Sequence, residues 1–202
     1  MNGKFLVIID NGHGVDTPGK SSPDGNLKEY QWTREMAREL KKRLTEKGIK
    51  TELLVTEEVD IPLNERVRRV NAFCRLYGAS NCLLISLHVD ASGVTAQWRQ
   101  ANGWSVYVAP NASSASKEFA DLLAQQAIKA GIRVRKQYAD RGYWVKSLAI
   151  VRDTLCPAVL TENLFMDNHS DCDRLLSNEG KETIVRLHFE AVTEWLSKKE
   201  RA

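Results

Sequence analysis

The sequence has no long apolar run. Its longest ones, residues 5–9 and 82–85, hold only a few residues each. A helix that crosses a membrane needs about 20 apolar residues, and the core of a signal peptide needs about 7–15. We therefore predict a protein that does not insert into a membrane and that is made in the cytoplasm without a signal peptide.

Cysteine is scarce, and neither sign of charge is in excess. The four cysteines, Cys74, Cys82, Cys156 and Cys172, form no CxxC pair and lie in or beside apolar runs, which predicts reduced, buried thiols rather than disulfides. Lysine and arginine number 29 against 26 aspartates and glutamates, so the formal net charge is +3. Because nucleic-acid-binding proteins concentrate far more positive charge, this balance predicts no nucleic-acid partner.

The length and composition are those of one globular domain. The 202 residues are 43% hydrophobic and 27% charged, close to the average of folded proteins. A domain usually holds about 100–200 residues, and the chain contains no repeat, low-complexity tract or linker. We predict a single domain that spans residues 1–202.

Strand and helix patterns alternate along the chain. Six short apolar runs predict strands, at residues 4–10, 49–55, 81–88, 104–109, 149–151 and 158–161. Apolar residues at three- and four-residue steps predict helices at residues 27–44, 62–77 and 114–130 and near the C-terminus, where Ser170 and Asn178 are candidate helix caps. Continuous apolar strands bounded by helices are typical of an α/β sheet that is covered on both faces.

Polar residues follow three of the apolar runs directly. His13 lies just after the first run, His88 ends the third, and Glu162 follows the last. In open α/β sheets, ligands bind outside the carboxyl ends of the strands. If these strands are parallel, the three side chains therefore converge at one edge of the sheet.

Glu29 is a fourth candidate, because it shares a helical stripe with Ala37, Leu40 and Leu44, and a buried carboxylate needs a partner or a metal ion. Two histidines and one glutamate, with one water, form a known catalytic zinc site, and a second glutamate can move the proton of that water.

Each candidate has a simpler interpretation. His13, between two glycines, could be only a turn residue, and His88 could be an ordinary strand-end histidine. Glu29 fits a capping box with Asn26, and Glu162 could pair with Arg152.

The motifs, taken in order, resemble those of the zinc-dependent N-acetylmuramoyl-L-alanine amidases, specifically the type 3 amidase catalytic domain. The matching segments are residues 9–14, Glu29, residues 64–66 with Asn71, residues 85–91, residues 103–107, and residues 157–162 with Asn168. The resemblance implies an α/β fold with a single twisted, mostly parallel (mixed) sheet of about six strands and helices on both faces. It also implies that His13, Glu29 and His88 bind Zn²⁺ and that Glu162 is the catalytic glutamate.

The family cleaves the amide between N-acetylmuramic acid and L-alanine in peptidoglycan, which predicts a peptidoglycan substrate. Two alternatives are a non-catalytic peptidoglycan-binding module and a zinc exopeptidase that acts on free peptides. The predicted catalytic fold occupies nearly the whole chain, so we expect no separate cell-wall-binding domain. Without a signal peptide, such an enzyme would reach the wall after lysis, as phage endolysins do, or by non-classical export.

Overall fold

A computed structural model of the chain describes residues 5–93 and 96–201, and six strands of this part form one sheet. The strands are β1 (Leu6–Asn11), β2 (Lys50–Leu53), β3 (Cys82–Asp90), β4 (Ser105–Val108), β5 (Trp144–Val145) and β6 (Ala158–Phe165). Their order across the sheet is β2-β1-β3-β6-β4-β5. The β4–β6 pair is antiparallel and the other neighbouring pairs are parallel. The sheet is therefore mixed and mostly parallel, as predicted.

Helices cover both faces of this sheet. They are α1 (Glu29–Glu46), α2 (Leu63–Tyr77), α3 (Ser114–Lys129), α4 (Ala149–Arg152), α5 (His169–Leu176) and α6 (Asn178–Arg201), and a 3-10 turn at Ala79–Asn81 precedes β3. Alternate residues of β1 belong to two cores: Val7 and Ile9 pack in the core with α1, α3 and α6, whereas Leu6 and Ile8 pack in the core with α2 and α4. This alternation follows from the two-residue period of a strand, and it confirms the predicted α/β fold class.

The structure differs from the local predictions in three places. Residues 149–151 form the start of α4 rather than a strand, because a run of three apolar residues is too short to distinguish a buried strand from a buried helical turn. The strand at this edge is Trp144–Val145, which the sequence analysis did not identify. The cap of α5 is Asn168, whose side chain accepts a hydrogen bond from the Asp171 amide, and not Ser170.

The prediction of reduced, buried cysteines is confirmed. All four cysteines are free and buried. Among the described residues, no helix is both long enough and apolar enough to cross a membrane.

Candidate metal centre and catalytic cleft

The sheet register brings the predicted site residues to one edge. β1 and β3 are parallel with Asn11 opposite Leu87, so the turn that carries His13 follows β1 beside the end of β3. β3 and β6 are also parallel, and His88 lies directly opposite Glu162. The predicted convergence of His13, His88 and Glu162 at the carboxyl ends of the strands is therefore what the fold produces.

His13, Glu29 and His88 form a compact cluster of potential metal ligands. One ligand atom from each residue can be chosen so that all three lie within 4.8 Å of one another. Nε2 of His13 is 3.5 Å from Oε2 of Glu29, and Nδ1 of His88 is 3.2 Å from Oε1 of the same carboxylate. The two imidazole rings meet edge to face, with their centroids 5.0 Å apart.

The donor set fits a zinc ion. Glu29 is fully buried, and its Oε2 atom has no hydrogen-bond partner among the described residues; the Nζ atom of Lys20 lies 4.0 Å from it. A buried carboxylate oxygen without a partner is costly unless a cation binds it, and a His2Glu set is one that catalytic zinc adopts. The ligand roles of the three residues remain predictions, which this geometry supports.

The simpler interpretations of two residues are wrong. The cap residue of α1 is Lys28, and no side chain caps the helix; the carboxylate of Glu29 instead accepts a hydrogen bond from the Val89 amide at 2.9 Å. Arg152 forms its ion pair with Asp153, at 2.7 Å, and not with Glu162.

Burial and mutual contact control the charge of the cluster. Burial lowers the pKa of His13 to about 4, more than the nearby Glu29 carboxylate raises it. Burial alone would raise the pKa of Glu29, but the hydrogen bond and charge of His88 outweigh it and hold that pKa below its usual value. Burial likewise lowers the pKa of His88, and Glu29 more than reverses the shift. His13 is therefore neutral at pH 7 and Glu29 is charged, which are the forms that bind a metal ion.

Glu162 has a different environment from Glu29. Burial raises the pKa of Glu162 to about 8, the carboxylates of Asp90 and Glu29 act in the same direction, and His88 opposes them. Its Oε2 atom is buried without a hydrogen-bond partner among the described residues. A carboxyl group in such surroundings binds a proton readily near neutral pH, as a general base and acid requires.

Two arginines, whose roles the sequence analysis did not identify, hold the turn that carries His13. His13 adopts a positive φ of 59°, which is unusual for a residue other than glycine. Its carbonyl oxygen accepts hydrogen bonds from Arg34 at 2.9 Å and from Arg66 at 3.4 Å. Arg66 is buried and also forms ion pairs with Asp10 at 2.6 Å and Asp60 at 2.8 Å. The signal for Arg66 was its place on the buried stripe of α2, four residues before Val70.

A buried polar network supports His88 from the other side. The Asn163 amide donates to the His88 carbonyl at 3.0 Å and accepts from the Trp104 indole at 2.8 Å. Asn163 also donates to the Thr161 hydroxyl, which lies 3.1 Å from Nε2 of His188. His188 is thus a buried core residue. Its position on α6 shows that the network ties the site to the core.

The cluster opens into a cleft of about 610 Å³. His13, His88 and Glu162 line the cleft at one end, and Tyr107, Lys146, Leu148 and Ile150 are also among its lining residues. His169 stacks on Trp98 with the ring centroids 3.7 Å apart. It belongs neither to the metal cluster nor to the lining of the cleft.

Gly12 must be glycine for the His88 ring to keep its position. A Cβ atom at residue 12 would lie 2.3 Å from Cε1 and 2.5 Å from Nδ1 of His88. We expect Gly12→Ala to displace the ring and to weaken zinc binding by at least about tenfold, the scale on which displaced ligands lose metal. Competition with a fluorescent chelator measures the affinity.

Gly93→Ala is the matched control for this substitution. The closest atom to its Cβ, at 2.9 Å, is Nε of the long Arg99 side chain, so we expect its zinc affinity to equal that of the wild type. Equal affinities for the two variants would contradict the assignment of His88 as a ligand.

Known proteins are similar to this chain in sequence. Residues 7–194 match the family model described as N-acetylmuramoyl-L-alanine amidase. The N-acetylmuramoyl-L-alanine amidase CwlM of Bacillus licheniformis is 27% identical over 184 residues, which cover 90% of this chain and 65% of that protein. The endolysin of Bacillus phage SPP1 is 28% identical over 204 residues, which cover 98% of this chain and 68% of the endolysin. The chain thus spans about two thirds of the length of these relatives.

A solved structure has the same fold. The crystal structure of the N-acetylmuramoyl-L-alanine amidase from Clostridium difficile 630 superposes with a TM-score of 0.82 at 23% identity, covering 96% of this chain and 98% of that one. Both the family model and the sequence motifs extend over most of the chain. The chain belongs to the N-acetylmuramoyl-L-alanine amidase family.

Proposed function

We propose that this chain is a zinc-dependent N-acetylmuramoyl-L-alanine amidase that acts on the bacterial cell wall. Its reaction is hydrolysis of the amide between the lactyl group of N-acetylmuramic acid and the first L-alanine of the peptide. The observation that carries the proposal is the His13–Glu29–His88 cluster, with its ligand atoms within 4.8 Å of one another, whose two histidines line one cleft together with Glu162. A pure binding module has no use for a buried ligand set beside a carboxyl group with a raised pKa.

His13, Glu29 and His88 would hold the ion. A bound Zn²⁺ polarises the amide carbonyl and makes water acidic enough to act as a nucleophile near pH 7. The chain contributes the fixed geometry of the three ligands, which Arg34 and Arg66 stabilise at His13 and Asn163 stabilises at His88.

Glu162 would move the proton. It lies opposite His88 in the sheet, at the edge of the metal cluster. Its carboxylate accepts a proton from the attacking water, whose oxygen bonds to the carbonyl carbon. Glu162 then donates that proton to the amide nitrogen as the C–N bond breaks. The products are a free lactyl carboxylate on the sugar and a peptide with a new amino terminus at L-alanine.

Digestion of purified muropeptides tests this function. We expect the zinc-loaded protein to release intact stem peptides, detected by mass spectrometry, from substrates that carry the sugar. We expect a chelator to abolish release and added Zn²⁺ to restore it. Trimming of free peptides would instead favour the exopeptidase, and zinc-independent binding to sacculi without any new amino terminus would favour the binding module.

Two histidine substitutions test the assignment of the metal ligands. His13→Asn should lose stoichiometric zinc, because the short amide is a poor ligand, whereas asparagine tolerates the positive φ at this position. His169→Ala removes an exposed histidine outside the cluster and should retain one zinc per chain. Elemental analysis of the dialysed proteins gives the stoichiometry. One zinc per chain in His13→Asn would contradict the assignment.

A further inference from the structure

The cleft continues away from the metal cluster along one face of the sheet. β4 and β6 are antiparallel, with Ser105 opposite Glu162 and Tyr107 opposite Leu160. Side chains two residues apart on a strand share a face, so Leu160 and Tyr107 lie on the same face as Glu162. Leu160, Tyr107 and Glu162 all line the cleft, whereas Ser105 does not. This face is therefore the floor of the cleft.

Lys146 lies at the far end of this floor. It directly follows β5, and its amide donates to the Val108 carbonyl at 3.0 Å. Its Nζ atom is 5.8 Å from the centroid of the Tyr107 ring. The residue is exposed and lines the cleft, so its ammonium group is accessible to a ligand in the cleft.

The aspartates and the arginine that line the cleft already have partners. Asp10 and Asp60 form ion pairs with Arg66, and Asp90 pairs with Arg135 at 3.2 Å. Lys146 and Arg66 are the lysine and arginine residues that line the cleft, and Lys146 forms no ion pair within the described part of the chain. An anionic group of a ligand in the cleft would therefore bind the ammonium group of Lys146.

The register gives the distance of this cation from the reaction. Lys146 is two strands away from Glu162, at about 4.8 Å per strand, and about four residues further along the strands, at about 3.3 Å per residue. The two Cα atoms are therefore about 16 Å apart. After allowance for the length of the lysine side chain, an anion at Nζ would lie about two to three extended residues from the cleaved bond.

We propose that Lys146 binds a carboxylate on the peptide side of the substrate, two or three residues from the cleaved amide; this rests on the amidase function proposed above. The lactyl carboxyl of N-acetylmuramic acid is consumed in that amide, so the nearby sugar offers no anion. The peptide carries a terminal carboxylate and any acidic groups. Leu148 and Ile150, which line the cleft beside Lys146, supply apolar contacts for its aliphatic parts.

A pair of substrates tests the proposal. Both are N-acetylmuramoyl tripeptides, one ending in a carboxylate and the other in a carboxamide. For the wild type, we expect kcat/KM to be about tenfold higher for the carboxylate, mainly through KM, since a charge-assisted hydrogen bond contributes on that scale. In Lys146→Met, the ratio between the two substrates falls to about one, whereas Lys146→Arg retains most of the preference.

Lys47→Met is the matched control. Lys47 is an exposed lysine at the C-terminal end of α1, outside the cleft, and we expect this variant to keep the wild-type ratio. A preference that persists in Lys146→Met, or a wild type that cleaves both substrates equally, would overturn the carboxylate site and leave the amidase function standing.

Binding measurements separate this proposal from the function on which it rests. Calorimetry of zinc-loaded Glu162→Gln with each tripeptide substrate should show tighter binding of the carboxylate form, and Lys146→Met should remove the difference. Binding that depends on Lys146 without hydrolysis by the wild type would support the carboxylate site and contradict the amidase function.

Discussion

Glu162→Gln lowers kcat for muropeptide hydrolysis by about 10²–10⁴-fold, the usual contribution of a general base and acid, and leaves the fold and the zinc content unchanged. Glutamine has nearly the same shape but cannot take up the proton of the attacking water. The folded protein tolerates the change because the neutral amide is easier to bury than the carboxylate, whose pKa burial raises to about 8. Steady-state kinetics, elemental analysis and thermal unfolding measure the three properties.

Glu118→Gln is the control for this loss. Glu118 is an exposed residue of α3 outside the lining of the cleft, so its substitution removes one carboxylate without changing the site. We expect the kcat of Glu118→Gln to equal that of the wild type. If Glu162→Gln were to retain kcat within tenfold of the wild type while binding zinc, the proton would have to move through another group, and the proposed role of Glu162 would be wrong.

The sequence predicts the convergence of the candidate residues well wherever a candidate follows a strand. His13, His88 and Glu162 each lie at or just after the end of an apolar run, and parallel strands end at the same edge of the sheet. The register confirms this: His88 is opposite Glu162. The argument required only local pattern and one rule of sheet topology.

The local sequence pattern does not decide the role of Glu29. The same spacing fits a capping box and a buried ligand, and both predict a glutamate in the first turn of a helix. The deciding contact, with His88 and the Val89 amide about sixty residues away in sequence, depends on how α1 packs against β3. The tertiary structure excludes the capping box, and the ligand role of Glu29 stays a prediction.

The network around the His13 turn is the largest feature that sequence reasoning did not identify. Arg66 contacts Asp10, 56 residues earlier in the chain. The hydrophobic periodicity of the sequence does not indicate such a distant partner. The available signal was a cation on the same helical stripe as buried Val70 and Cys74, since a buried arginine requires partners. The pattern could therefore indicate that Arg66 is paired, but not with which residues.

Arg66→Met is expected to lower the free energy of unfolding by about 3–5 kcal/mol, the cost of removing one partner from a buried ion pair. Asp10 is buried, and its remaining side-chain hydrogen bond is the one from the Ser86 hydroxyl, at 2.6 Å. The carbonyls of Asn11 and His13 each lose a donor as well. Urea unfolding of the metal-free protein measures the loss without a contribution from zinc binding.

Neighbouring Arg68→Met provides the comparison, because Arg68 is 68% exposed and pairs with Glu65 on the surface of α2, where such a pair contributes at most about 1 kcal/mol. Arg66→Lys should fall between the two, since a single ammonium group cannot replace the guanidinium fork that binds Asp10 and Asp60 together. If Arg66→Met proves too unstable to purify, the Lys variant supplies the measurement. A loss as small as that of Arg68→Met would mean that the site turn is held by other contacts, with Arg34 the first to examine.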